Sequence, residues 1–232
     1  MLFLYHIIIF IITAFSPVII FFRILKNKED RKRYIEKFSI SSKKRVKGKL
    51  IWFHGASVGE ILSIVPLIKN YEKNNSISQI LVTSSTLSSS KVLKKFKFKK
   101  TVHQFYPIDN LFLTNKFLKF WKPCMAVFVD SEIWPCMYNN INNQKIPLIL
   151  LNARITKKTF KRWMTLRYFA RSIFNKITIA YPQNLETAQY LKILKANKIC
   201  HLGNLKFAEN FEENLDKINV NLKKELKKRK IW

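Results

Sequence analysis

Seven short apolar runs, at 50–54, 79–84, 102–106, 125–130, 147–152, 176–181 and 198–202, are separated by six stretches of helical periodicity. Those stretches lie at 60–71, 88–96, 110–121, 133–141, 158–174 and 185–194. The runs are rich in branched and aromatic residues and too short for helices, so they read as strands. Strands joined through single helices form βαβ units with right-handed crossovers. The expected fold is therefore α/β, a Rossmann-like, mostly parallel sheet. In such a sheet ligands bind outside the carboxyl ends of the strands, and side chains placed there carry the functional reading.

The polar punctuation of this chain falls at those ends. The first run closes in His54-Gly55-Ala56-Ser57-Val58-Gly59-Glu60, and the second in Thr83-Ser84-Ser85-Thr86. The fourth closes in Asp130-Ser131-Glu132-Ile133-Trp134-Pro135, and the fifth in Asn152-Ala153-Arg154. Two readings fit Glu60. It can be a helix-start acid favoured by the dipole, forming a capping box with Ser57. It can also be a general base on a rigid turn, with glycines keeping the space before it open. Asp130 and Glu132 can likewise cap the next helix or line a site, and Arg154 can pair with one of these carboxylates. His54 and His103 read as core histidines, with His201 in the same class.

The amino terminus sets the compartment. Residues 2–22 contain no charged side chain, and about 20 apolar residues suffice to cross a bilayer as a helix. A dense basic segment follows at 23–49, which the positive-inside rule assigns to the cytoplasm. A single spanning anchor is expected, with a hairpin docked on the membrane surface as the alternative. No basic residue precedes the run, which disfavours a cleavable signal. The whole chain carries 43 Lys and Arg against 14 Asp and Glu, a field that favours anionic partners and an anionic membrane. A nucleic-acid binder is disfavoured, because no recognisable motif interleaves stacking aromatics with the basic residues.

Other classes are excluded by what is sparse. There are four glycines in all and no GxGxxG or P-loop pattern, so a dinucleotide or ATP site is not expected. Cys124, Cys136 and Cys200 are odd in number and scattered, which suggests reduced thiols rather than a disulfide or metal framework.

Four segments in order, 51–60, Asp130-Ser-Glu-Ile-Trp-Pro135, Leu151-Asn-Ala-Arg-Ile155 and Gly203-Asn-Leu-Lys-Phe207, resemble the 3-deoxy-D-manno-octulosonic acid (Kdo) transferases of lipopolysaccharide synthesis. The apolar amino terminus with its basic collar matches too. The resemblance implies the amino-terminal half of a GT-B glycosyltransferase, acting at the bacterial inner membrane with its globular part cytoplasmic. That half holds the lipid A precursor, and a carboxyl-terminal domain binds the donor CMP-Kdo. By the family's motif Glu60 is the general base of a single inverting displacement that needs no metal or other cofactor. Ser57, Gly59, Asp130, Glu132 and Arg154 are then the substrate-binding residues. The family usually has Glu where this chain has Asp130, and a Pro and Gly in the turn that here reads Thr83 to Ser90.

The expected organisation is an anchor at 2–22, a basic segment at 23–49, the acceptor-binding domain at 50–207 and a charged tail at 208–232. The donor domain is expected to be missing from the chain or supplied by a separate one. The competing function is a catalytically inactive, membrane-anchored domain that binds glycolipid.

Overall fold

The computed structural model describes residues 2–200. The Gly203–Phe207 motif, His201 and the expected tail at 208–232 lie outside the described residues, as does the end of the last strand. Seven strands form one sheet: β1 Leu50–His54, β2 Gln79–Ser84, β3 Thr101–Phe105, β4 Met125–Val129, β5 Leu148–Ala153, β6 Ile179–Pro182 and β7 Lys198–Ile199. Every neighbouring pair is parallel, and the spatial order is β3-β2-β1-β4-β5-β6-β7. The expected Rossmann-like class is the one observed. The chain builds outward from β1 to β3 and then returns to the other side of β1 for β4. The strand order therefore reverses between β1 and β4, and the ligand crevice of such a sheet opens there.

Helices cover both faces: α2 Val58–Lys73, α3 Leu87–Lys95, α4 Leu111–Trp121, α5 Pro135–Asn143, α6 Lys157–Thr165, α7 Arg167–Phe174 and α8 Leu185–Ile193, after an amino-terminal α1 at Leu2–Leu25. All five residues of β1 are buried. Leu50 and Trp52 point into one core with Phe117, Trp121, Phe128 and Tyr138, while Ile51 and Phe53 point into the other with Ile61, Ile64 and Ile68. Successive side chains leave a strand on opposite faces, and both faces here are covered. That is why the strands read as continuous apolar runs rather than as alternations.

The stretch 158–174 is two helices, not one. Leu166 leaves the helical region at φ −119°, ψ 51°. Phe160, Trp163 and Met164 pack on the core, and a continued helix would next place Arg167 there. The break resets the phase so that Phe169, Ala170, Ile173 and Phe174 take over.

The basic segment folds onto the domain. A short 3-10 helix, Tyr34–Phe38, buries Glu36 completely. Arg33 clamps both Glu36 oxygens at 2.9 Å and donates to the His103 carbonyl at 2.8 Å. Glu36 Oε2 in turn accepts the Phe105 N–H at 2.8 Å. A donor and an acceptor on edge strand β3 are thereby satisfied.

Candidate functional site

The switch point is built on the turn after β1. Ser57, in extended conformation at φ −101°, ψ 165°, caps α2 by accepting the Glu60 N–H at 3.3 Å. Glu60 reciprocates. Its Oε1 accepts the Ser57 hydroxyl at 2.7 Å and its Oε2 the Ala56 N–H at 2.7 Å. The capping box is formed, and the carboxylate is fixed half-buried at the rim rather than standing free. Gly55 makes this fold-back possible, because a Cβ on it would sit 3.0 Å from Glu60 Cβ. Gly59 is different: a Cβ there would meet nothing within 4 Å, so open space lies over the first turn of α2.

Across the crevice, β4 ends in Asp130, whose φ of 62° turns the chain sharply. Its Oδ1 lies 3.1 Å from the Ser131 hydroxyl oxygen, and its carbonyl accepts the Arg154 N–H at 3.2 Å. Ser131 also donates to the Arg154 carbonyl at 2.8 Å, which ties the β4 and β5 loops together. Neither Asp130 nor Glu132 caps α5. Asp109, from the loop after β3, does so from a distance, its two oxygens accepting the Cys136 and Met137 N–H groups at 3.0 and 2.8 Å. The Arg154 side chain is exposed and makes no ion pair among the described residues, so the alternative in which it pairs with one of these carboxylates is not formed.

Glu132 is held instead by two donors on one oxygen. Oε2 accepts the Trp134 indole N–H at 2.8 Å and faces His54 Nε2 at 3.1 Å. His54 is fully buried. Its ring stacks on Tyr106 at 4.0 Å between centroids and meets the edge of Phe128 at 5.0 Å. Its Nδ1 stands 2.9 Å from the Thr83 hydroxyl, which is also 2.9 Å from Trp52 Nε1. Indole N–H can only donate, so the Thr83 hydroxyl accepts from Trp52; that hydroxyl also stands 3.4 Å from the Phe53 carbonyl, and His54 Nδ1 3.2 Å from the Thr83 carbonyl. One hydrogen-bonded chain runs from Trp52 through Thr83 and His54 to the Glu132 carboxylate. Sequence reasoning placed His54 in the core, and so it is. What it missed is that Trp52 and His54 share one face of β1, two residues apart, aimed along the strand toward the crevice.

The remaining titratable groups nearby are structural. Burial pushes the Tyr106 and Tyr138 hydroxyls well above the usual tyrosine range, with nearby Asp109 and Glu132 adding to the effect. Burial also raises Asp109, against the hydrogen bonds that hold it. Among the described residues, no three His, Cys, Asp or Glu side chains cluster as a metal site would require.

Ser57, Gly59, Glu60, Asp130, Glu132 and Arg154 therefore sit on three loops at one edge of the sheet, after adjacent strands β1, β4 and β5. The family model described as 3-deoxy-D-manno-octulosonic-acid transferase (kdotransferase) matches residues 31–209. The chain belongs to the Kdo transferase family.

A Kdo transferase from Rickettsia bellii is 36% identical over 224 residues, covering 95% of this chain and 53% of that protein. One from Rickettsia felis is 34% identical, covering 96% and 59%. One from Haemophilus influenzae is 25% identical, covering 71% and 39%. This chain thus spans a little over half the length of the two rickettsial Kdo transferases. Among solved structures, UDP-GlcNAc 2-epimerase from Neisseria meningitidis superposes with a TM-score of 0.52 at 14% identity, over 78% of this chain and 53% of that one. At that identity the likeness is one of fold alone.

Proposed function

We propose that this chain is the acceptor-binding half of a glycosyltransferase that moves Kdo from CMP-Kdo to a lipid A precursor at the inner membrane. Glu60 is its general base. The observation that carries the reading is the placement of Glu60: a carboxylate held half-buried beside the β1–β4 switch point, with open space over Gly59 next to it.

The chemistry follows from the hydrogen-bond count. A carboxylate offers about four lone-pair sites, and Ala56 and Ser57 use two on Glu60. Donors stabilise the ionised form and weaken the base. An incoming acceptor hydroxyl that displaces the Ser57 hydroxyl removes one of them and stands in hydrogen-bond reach of Oε1. In the transfer step the acceptor proton passes to Glu60 as the acceptor oxygen bonds to the anomeric carbon of Kdo. CMP departs with the electrons of the broken bond, and the configuration inverts. Glu132, held through Oε2 by His54 and Trp134, orients the acceptor through its other oxygen. Asp130 and Arg154 frame the same rim, and the exposed guanidinium suits a phosphate of the acceptor.

The test pairs the full chain with the carboxyl-terminal half of the Rickettsia bellii relative and measures sugar transfer from CMP-Kdo. Glu60→Gln should retain lipid A precursor binding and lose transfer by about 10²–10⁴-fold, the usual contribution of a positioned base. Turnover matching the unaltered chain would refute the base role. A second reading, a glycolipid-binding domain without catalysis, draws on the capping bonds that already engage both Glu60 oxygens. It predicts precursor binding with no turnover in either form.

A further inference from the structure

The few polar residues of α1 fall on one stripe. Tyr5, His6, Thr13, Ser16 and Arg23, together with Ile9 and Ile20, recur at the three- and four-residue spacing of a single helix face. That face rests on the domain along most of the helix. Ser16 and Ile20 are buried. The Tyr5 hydroxyl donates to Asp109 Oδ2 at 2.8 Å, and its ring lies 5.7 Å from Phe169. The Asn110 amide donates to Thr13 Oγ1 at 3.4 Å. At the far end Arg23 pairs with buried Glu29 at 2.7 Å.

The opposite face is apolar and open. Ile8, Phe10, Phe15, Val18 and Phe22 are each between 48% and 67% exposed. Tyr5–Leu25 is long and apolar enough to cross a membrane. Yet from Tyr5 to Ile20 the helix runs about 22 Å at 1.5 Å per residue. Were that length threaded across a bilayer, Asp109, Asn110 and the loops beside them would be carried into the hydrocarbon.

We propose that α1 lies in the plane of the membrane, its outer face sunk into one leaflet and its polar stripe clasping the domain. The occupant of the open face is an anionic bilayer. Lys26, Lys28, Arg31 and Lys32, all exposed, follow the helix directly and complement acidic headgroups. The contacts also orient the site. Asp109 bonds Tyr5 on α1 and, through the same carboxylate, the first turn of α5, which follows the loop carrying Glu132. The headgroup layer is thus held alongside the rim, and a lipid acceptor can present its hydroxyl without leaving the leaflet. That last consequence rests on the proposed function; the orientation of α1 does not.

The experiment adds an epitope tag before Met1 of the full chain and treats membranes with protease from either side. In-plane binding predicts digestion of the tag in inverted inner-membrane vesicles, its protection in intact spheroplasts, and co-sedimentation of the chain with membranes. A Phe10→Asp, Phe15→Asp double variant should bind phosphatidylglycerol vesicles at least tenfold more weakly, with its circular dichroism unchanged. Digestion of the tag only from outside spheroplasts would show a span and overturn the proposal. A chain found free of membranes, with the face covered by a second copy, would overturn it equally. None of these readouts requires sugar transfer, so a spanning result leaves the role of Glu60 standing, and an inert Glu60 assay leaves the orientation standing.

Discussion

His54 Nε2 lies 3.1 Å from Glu132 Oε2, across 78 residues of sequence. The contact exists because β1 and β4 are paired in parallel register, His54 opposite Phe128, so their carboxyl ends emerge side by side. Behind it, the Thr83 hydroxyl links His54 Nδ1 to Trp52 Nε1, at 2.9 Å from each.

The imidazole resonances of His54 should accordingly report on the Thr83 hydroxyl. The chain has four histidines, which keeps a ¹⁵N spectrum of labelled imidazoles readable. His103 should carry its proton on Nε2, since Arg33 can only donate to its Nδ1 at 3.0 Å. Thr83→Val removes the hydroxyl that sets His54 and strands the Trp52 indole. It should cost about 1–3 kcal/mol in urea unfolding and shift the His54 resonances while leaving those of His103. A His54 spectrum identical in the variant would rule out the link from Thr83 to the ring.

The two glycines around Glu60 should respond in opposite ways. Gly55→Ala places a Cβ 3.0 Å from Glu60 Cβ and 3.4 Å from Ile61 Cδ1. Overpacking of this kind costs about 1–3 kcal/mol, and the carboxylate must move. Gly59→Ala meets nothing within 4 Å and sits in α2. It should stabilise by about 0.4–1 kcal/mol through the unfolded chain. Thermal melts of both variants decide this; equal destabilisation by the two would mean that the turn is not built as described. Loss of precursor binding by the more stable Gly59→Ala would mark the open space as the acceptor's.

Acid should unfold the β3 edge early. Burial, then the charges of Arg33, Lys94 and Lys43, lower His103 to about 3 from an ordinary 6.5. In the unfolded chain this ring takes up its proton near 6.5, whereas in the fold it stays neutral until about 3. The unfolded state therefore binds more protons between those values, and stability falls as pH drops through that window, at up to about 1.4 kcal/mol per unit. Urea midpoints measured from pH 7 to pH 3.5 should decline, and the slope should flatten in His103→Gln. A slope unchanged by that substitution would assign the acid response elsewhere.

Much of the fold was legible because hydrophobic periodicity is local. The runs at 50–54 and 79–84 are β1 and β2 to the residue, since continuous apolar stretches are what a strand covered on both faces requires. The capping box at Ser57 and Glu60 was also legible, because its partners lie three residues apart. The break at Leu166 was not, as only the surface against which Trp163 and Phe169 pack decides where a helix must change phase. Nor was the capping of α5 by Asp109, whose partners lie 27 and 28 residues away.

The sequence by itself determined the succession of strands and helices, the polar ends of the strands and an apolar amino-terminal helix, all set by neighbours within a turn or two. The tertiary structure alone decided that β4 lies beside β1, that His54 therefore faces Glu132, and that Tyr5 reaches Asp109. Hydrogen bonds between distant residues depend on strand order and on which helix face is covered, and neither is written in the spacing of apolar residues along the chain.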